Sequence, residues 1–170
     1  MSDFNIDVLS RAQIHAVYPL IREAVPTLDL PSWLRFARHL TAPRRGGQEG
    51  IIAARREGRM FPSGLFCYRV EDDLKLGKVL IADHFIAVDL LDPGAVLAAL
   101  VEQLDDLAKR LGCRAVRSLA HRGAPSVAGG LYAAGHRPDG ALLLKTLLEP
   151  PHPAHGARRR ASASQSVATA

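Results

Sequence analysis

The sequence predicts an α+β fold, with a central mixed, mostly antiparallel sheet of about six strands flanked by about four helices. Residues 78–88 are almost continuously apolar and rich in β-branched and aromatic side chains, as in a strand covered on both faces. An Asp-Pro-Gly turn at 92–94 leads into an amphipathic helix that ends at Gly112. Strand candidates at 51–56 and 65–70 precede the long strand with only short turns between them, which favours an antiparallel meander.

The first part of the chain predicts one strand and two helices. Residues 5–9 form a strand candidate, and the Ser-Arg-Ala-Gln sequence at 10–13 has the form of a capping box. A helix over 14–25 is therefore predicted. A second helix fits residues 31–40, and the stretch 41–50, rich in Gly and Arg, predicts a loop. The inward-facing side chains of the second helix are expected to be Trp33, Leu34 and Ala37.

The second half of the chain predicts the rest of the sheet. Asp92 suits an N-cap and Pro93 the first helical position. The long helix leads to a strand at 114–119, and a helical connection places that strand parallel to the long one. A short helix at 125–134 and a last strand at 141–148 follow. The apolar edge of the last strand would suit a homodimer.

Length and charge predict one domain and a tail. The chain has 170 residues, 48% of them hydrophobic, which is enough for one core over residues 1–149. Residues 150–170, rich in Pro, Arg, Ser and Ala, predict a disordered tail. Three arginines of this tail supply three of the five net positive charges. The remaining +2 does not favour nucleic-acid binding by the domain.

The location of the protein and its cysteines give further expectations. No run of about 18 apolar residues is present, so a membrane span is not expected. The first residues lack the basic and apolar regions of a secretory signal, and the sequence predicts a cytoplasmic protein.

Cys67 and Cys113 lie in apolar runs typical of small buried side chains, and no metal site is predicted.

The predicted order of elements, β, α, α, β, β, β, α, β, α, β, resembles the GNAT acyltransferase fold over residues 5–148. The likeness is strongest where Phe-Ile-Ala-Val at 85–88 leads into a helix that ends Leu-Ala-Lys-Arg-Leu-Gly-Cys at 107–113. Leu-Tyr-Ala-Ala-Gly-His at 131–136 is similar to the end of the family's fourth helix. The resemblance implies an acyl-CoA-dependent N-acyltransferase, with acetyl-CoA as co-substrate and a small amine or a protein amino group as acceptor.

The family's pyrophosphate loop reads Arg or Gln, two residues, Gly, one residue, Gly or Ala, and this chain departs from it. Counted forward from Val88, the basic position holds Pro93, and counted back from Gly112 it holds Asp92. Both registers lack the basic residue and the first glycine. A nearby carboxylate disfavours an anion, and close backbone approach needs a missing Cβ. Either the turn only caps the helix, or it holds acyl-CoA with help from the helix dipole.

The resemblance also implies cofactor-binding residues at the end of the long strand and at the starts of the two helices that follow. These residues are Ala87, Val88, Asp89, Leu90, Gly94, Ala95, Val96 and Ser126. Backbone N–H groups from 87 to 90 would polarise the thioester carbonyl.

Acyl transfer needs a base for the amine and an acid for the departing thiolate. Asp83 and His84 lie near where relatives place a glutamate base, and regular strand alternation would let only one of them face the cleft. His84 is preferred, because imidazole exchanges protons near neutral pH; a core histidine is the alternative. Tyr132 is the candidate acid. It stands three residues before Gly135, whereas relatives place tyrosine four before, where Leu131 stands.

Three functions are open from the sequence. The strand, turn and helix core and His84 favour the acyltransferase. The altered loop and the displaced tyrosine favour a noncatalytic GNAT-like module that binds a metabolite or a protein partner. An RNA-binding surface built from the arginines of 35–59 and the tail has little aromatic interleaving to support it.

Overall fold

A computed structural model describes residues 3–42, 46–88, 92–120 and 124–147. Within these ranges the chain forms five strands and four helices. In chain order they are β1 (Phe4–Val8), α1 (Tyr18–Ala24), α2 (Leu30–Leu40), β2 (Glu49–Arg56), β3 (Gly64–Asp73), β4 (Gly77–Ala87), α3 (Pro93–Arg110), β5 (Ala115–Ser118) and α4 (Pro125–Ala133).

The five strands form one sheet in the order β1-β2-β3-β4-β5. Strands β1 to β4 pair antiparallel, each with the next, and β5 pairs parallel with β4. Helices α3 and α4 contribute to the hydrophobic core on one face of the sheet, and α1 and α2 to the core on the other. The predicted fold class is confirmed, with five strands in the described residues where about six were expected.

The predicted last strand is not formed. Residues 141–147 have no strand structure, and Leu142, Leu143, Leu144 and Leu147 are each at least 79% exposed. Three consecutive leucines have no alternation, so the run does not specify one buried face as a strand in a half-buried sheet does. The prediction over the described part of 141–148 was therefore wrong, and Leu148 lies outside the described residues. Residues Met1–Asp139 form one compact unit and Gly140–Ala170 a second.

Helix α1 begins later than the sequence predicts. The capping-box contact forms, since the Ser10 N–H donates to Gln13 Oε1 at 3.0 Å, but turns follow and the helix begins only at Tyr18. The Ile14 carbonyl accepts from Trp33 Nε1 at 2.8 Å, and the Tyr18 N–H donates to the next carbonyl at 3.2 Å. Trp33 of α2 therefore bonds the Ile14 carbonyl, which in a continuous helix would accept from the Tyr18 N–H.

Helices α2 and α3 match their predictions closely. Asp29 caps α2 by accepting from the Ser32 N–H at 2.8 Å, and this hydrogen bonding lowers the pKa of Asp29. Asp92 caps α3 in the same way, and Gly112, with a φ of 68°, takes the left-handed conformation just after the helix end. Of the helices in the described ranges, none is long and apolar enough to cross a membrane.

Helix α4 approaches α3 closely at Gly130. A Cβ on Gly130 would lie 2.5 Å from Leu97 Cδ2, whereas a Cβ on Gly129 would have no atom within 4 Å. We expect Gly130→Ala to destabilise the fold by about 1–3 kcal/mol, as over-packing does. Gly129→Ala is expected to stabilise it by up to about 1 kcal/mol through helix propensity. Urea unfolding of both variants measures the two changes, and changes of the same sign would contradict this packing.

Candidate active site between strands β4 and β5

A gap opens in the sheet where β4 and β5 part. The two strands pair only over residues Val79 to Ala82 of β4, and the Leu119 N–H donates to the Ala82 carbonyl at 2.8 Å. Strand β4 continues to Ala87, whereas β5 ends at Ser118. Helices α3 and α4 begin shortly after these two strands. In open sheets of this kind, ligands bind at the carboxyl ends of parallel strands.

Backbone groups of β4 are directed into this gap. The Val88 N–H donates to the Ser63 carbonyl at 2.7 Å, which places it on the side of β3. Alternate residues of a strand direct their N–H and C=O groups to opposite edges. The N–H and C=O of Ala87 are therefore directed to the edge beyond the end of β5, where no backbone group of the described residues bonds them.

The start of α3 has fewer backbone N–H donors available to an anion than the fold suggests. Asp92 Oδ1 accepts from the Ala95 N–H at 2.9 Å, so a carboxylate of the chain already uses one of the first-turn donors. A Cβ on Gly94 would lie 3.2 Å from the same oxygen. Val96 is fully buried, and its Cγ1 would be 2.5 Å from a Cβ on Gly64. Val96 therefore packs in the core and offers no surface to a ligand.

Asp83 and His84 lie at a β-bulge at the start of the gap. Leu65 pairs with Ile86 and Cys67 with Asp83, so one residue of β3 stands opposite two residues of β4. His84 has a φ of 53°, in the left-handed region that few residues other than glycine adopt. The regular alternation of the strand is broken at this point.

The bulge brings Asp83 and His84 to the face covered by α1 and α2. Asp83 lies opposite Cys67, which belongs to the core on that face, and the His84 ring meets the Phe36 ring of α2 edge to face at 5.5 Å. His84 Nε2 is 3.8 Å from Asp83 Oδ1. The expectation that the two side chains point to opposite faces was wrong, because it assumed an unbroken strand.

His84, Asp83 and Cys67 differ in solvent exposure, and this difference determines which of them can accept a proton from a substrate. The His84 side chain is 49% exposed, so it is no buried core histidine, whereas Asp83 is only 19% exposed. Burial, with a smaller contribution from the Asp83 carboxylate, raises the pKa of the Cys67 thiol far above its usual range. Cys67 therefore stays a protonated core side chain, as the sequence predicts, and His84 is the accessible basic group.

Three side chains around this pair were missed by the sequence analysis. Arg69 of β3 donates from Nη1 to Asp83 Oδ2 at 2.9 Å and from Nε to Glu71. Phe36 contacts the rings of both His84 and Trp33. Residues 67, 69 and 71 share one face of β3, but no sequence signal gives the register that places Arg69 near Asp83.

The candidate acid lies on a different element. Tyr132 is 52% exposed on α4, while Leu131, at the position where relatives place tyrosine, is buried in the core. Among the described residues, the Tyr132 hydroxyl has no hydrogen-bond partner, and no hydrogen bond or ring contact joins Tyr132 to Asp83 or His84. The structure thus brings Asp83 and His84 together and does not add Tyr132 to them.

The other predicted cofactor-binding residues border the gap or lie outside the described ranges. Val88 is exposed just after β4, and Ser126 is exposed in the first turn of α4. Asp89 and Leu90 lie outside the described residues. Ser118, at the end of β5, has a buried Oγ with no hydrogen-bond partner among the described residues. This orphaned hydroxyl lies where the two strands separate.

Several solved structures with the same fold are acetyltransferases. The aminoglycoside N-acetyltransferase AAC(6')-Iy in complex with CoA superimposes with a TM-score of 0.69 at 12% identity, over 86% of this chain and 95% of that one. A ribosomal-protein-alanine N-acetyltransferase from Brucella melitensis biovar Abortus 2308 gives 0.69 at 18% identity, over 84% and 98%.

A third neighbour extends the same pattern. The aminoglycoside antibiotic 6'-N-acetyltransferase AAC(6')-Ih from Acinetobacter baumannii gives a TM-score of 0.68 at 15% identity, over 85% of this chain and 99% of that one. No family model and no curated protein sequence matches the chain significantly. At these identities the likeness establishes the fold, which is that of the GNAT acetyltransferases.

Proposed function

We propose that this chain, which has the GNAT fold, is an acyl-CoA-dependent N-acyltransferase that moves an acetyl group from acetyl-CoA to a primary amine. The observation that carries the proposal is the position of His84. His84 stands on β4 shortly after Ala82, the last residue of β4 that pairs with β5, and its imidazole is 49% exposed beside the gap that the fold offers to a thioester. The acceptor is a small amine or an amino group of a protein, as for the neighbouring structures of aminoglycoside and ribosomal-protein-alanine acetyltransferases.

His84 is proposed to act as the general base. The amine nitrogen forms a bond to the acetyl carbonyl carbon, and His84 takes the proton that the nitrogen loses. The carbon–sulfur bond then breaks, and the thiolate takes a proton to give free CoA and the amide. The Ala87 N–H, directed into the gap, is positioned to stabilise negative charge on the carbonyl oxygen. Tyr132 remains the proposed acid for the thiolate, although half of its surface faces solvent in the free chain.

The gap fits acetyl-CoA in part. The free edge of β4 and the orphaned Ser118 hydroxyl suit the amide-rich arm of the co-substrate, with Val88 and Ser126 beside it. The start of α3 fits a pyrophosphate less well, because the Asp92 carboxylate holds the Ala95 N–H. The exposed Gly94 N–H is the remaining backbone donor of that turn, because Pro93 has no N–H and Val96 is buried.

Removing the Asp92 charge should therefore strengthen binding of acetyl-CoA. Serine also caps helices, so Asp92→Ser keeps the cap while it removes one negative charge from the anion site. We expect the Kd for acetyl-CoA to fall roughly tenfold, as for a charge about 4–6 Å away at a protein surface. Glu102→Gln, which removes a charge from an exposed position further along α3, is the control. Calorimetry measures both, and equal affinities of the two variants would contradict the expectation.

A noncatalytic GNAT-like module is the second candidate, and two observations favour it. Asp92 caps α3 where relatives bind pyrophosphate, and a buried leucine takes the position where relatives place the tyrosine. Such a module would bind a metabolite or a protein partner in the same gap without transferring an acyl group.

Release of free CoA thiol distinguishes the two candidates. The chain is incubated with acetyl-CoA and a panel of primary amines that includes aminoglycosides, polyamines and alanine-terminated peptides. The enzyme predicts at least one amine that raises thiol release about tenfold or more over the amine-free reaction. Release that no amine raises, in a chain that binds acetyl-CoA, would establish the noncatalytic module instead.

A further inference from the structure

The carboxylate beside His84 is itself held in place. Asp83 Oδ2 accepts from Arg69 Nη1 at 2.9 Å, while Asp83 Oδ1 faces His84 Nε2 at 3.8 Å. Each oxygen of this carboxylate thus has a different neighbour. A hydrogen bond from a guanidinium is among the strongest that a carboxylate accepts. The ion pair with Arg69 occupies one carboxylate oxygen of Asp83 and holds the other towards His84.

Arg69 is fixed from its other side. Its Nε donates to Glu71 Oε1, and residues 67, 69 and 71 share one face of β3. The guanidinium therefore lies between two carboxylates, and its plane is set by both. The side chains form a chain of contacts from Glu71 through Arg69 and Asp83 to His84. Only Asp83, in the middle of this chain, is mostly shielded from solvent.

The arrangement selects one tautomer of His84. A carboxylate oxygen near Nε2 favours the imidazole that carries its proton on Nε2 and its basic lone pair on Nδ1. The Nε2 to Oδ1 distance of 3.8 Å is longer than a hydrogen bond. Catalytic hydrogen bonds are often long in the free protein and shorten when substrate is bound. The Phe36 ring, nearly perpendicular to the imidazole with its centroid 5.5 Å away, limits rotation of the imidazole.

We propose that Arg69 is a positioning residue that, through Asp83, sets the tautomer and orientation of His84. The proposal rests on the proposed function, in which His84 is the base, and it gives Asp83 an orienting role in place of a catalytic one. A base that is oriented by a third group is a recurring arrangement in enzymes that activate a nucleophile. Here the orienting group is in turn anchored by an arginine of the neighbouring strand.

Two readouts test the proposal, one of which needs no substrate. NMR of the 15N-labelled chain reports the ratio of His84 tautomers, and steady-state kinetics with acetyl-CoA reports kcat and KM. Arg69→Met is expected to lower the ratio of the Nε2–H to the Nδ1–H form at least about threefold. It is also expected to lower kcat by about 10- to 100-fold, with the KM for acetyl-CoA within about twofold.

Matched variants keep the test specific. Arg69→Lys retains a cation for Asp83 and is expected to keep kcat within about fivefold of the original chain. Arg22→Met makes the same replacement on an exposed face of α1 and should change neither readout. A tautomer ratio that is the same in Arg69→Met and the original chain overturns the inference. A changed ratio in a chain without transferase activity overturns the proposed function and still supports the coupling of Arg69 to His84.

Discussion

Replacing His84 by asparagine is expected to lower kcat for acetyl transfer by about 10²- to 10⁴-fold, the usual contribution of a general base. Asparagine tolerates the left-handed backbone better than most residues, so His84→Asn removes the imidazole without adding strain at a φ of 53°. The Kd for acetyl-CoA is expected to stay within about twofold, because the base acts on the acceptor amine. Steady-state kinetics and calorimetry measure the two quantities.

His15→Asn is the matched control for this variant. His15 is exposed in the turns before α1, and its replacement should leave kcat unchanged. If His84→Asn retained the kcat of the original chain, His84 would not be the base, and the proton would have to leave the amine by another route.

Replacing Trp33 by alanine is expected to cost about 3–5 kcal/mol of unfolding free energy, the largest effect on stability that we expect from one side chain. Trp33 is 2% exposed in the core under the sheet, and its Nε1 donates to the Ile14 carbonyl. The variant therefore leaves a cavity and an unpaired carbonyl at the same place. Denaturant unfolding measures the change.

Two further variants separate the causes. Trp33→Phe keeps most of the volume and removes the N–H donor, so its cost should be intermediate. Phe36→Ala changes an aromatic residue on the same helix that is 39% exposed, and it should cost about 1 kcal/mol or less. Equal losses for Trp33→Ala and Phe36→Ala would show that Trp33 does not anchor α2 to the sheet.

Most of the fold could be predicted because its signals are local. The apolar run of β4, the cap at Asp92 and the periodicity of α3 each follow from neighbouring residues, and the structure confirms them. The start of α1 could not be predicted, because it depends on the hydrogen bond from Trp33 Nε1 to the Ile14 carbonyl, which joins residues far apart in the chain. The strand expected at 141–148 rested on apolar composition alone, which does not specify a partner strand.

The residues of the candidate site were proposed from the sequence, whereas their geometry could not be. His84 and Asp83 were found from their place near the end of the long strand, but no sequence signal marks the bulge that brings them to one face. The ion pair of Asp83 with Arg69 depends on the register between β3 and β4, and the contact of His84 with Phe36 depends on how α2 packs. Both are tertiary features.

Calorimetric titration of the purified chain with acetyl-CoA at low salt tests the central claim, that the gap between β4 and β5 binds an acyl-CoA. Desulfo-CoA and a longer acyl-CoA are titrated in parallel. We predict a Kd on the order of micromolar for acetyl-CoA and weaker binding in Gly94→Asp, which adds a carboxylate beside the start of α3. Absence of binding to all three ligands would contradict the account and would leave the gap to a different metabolite or to a protein partner.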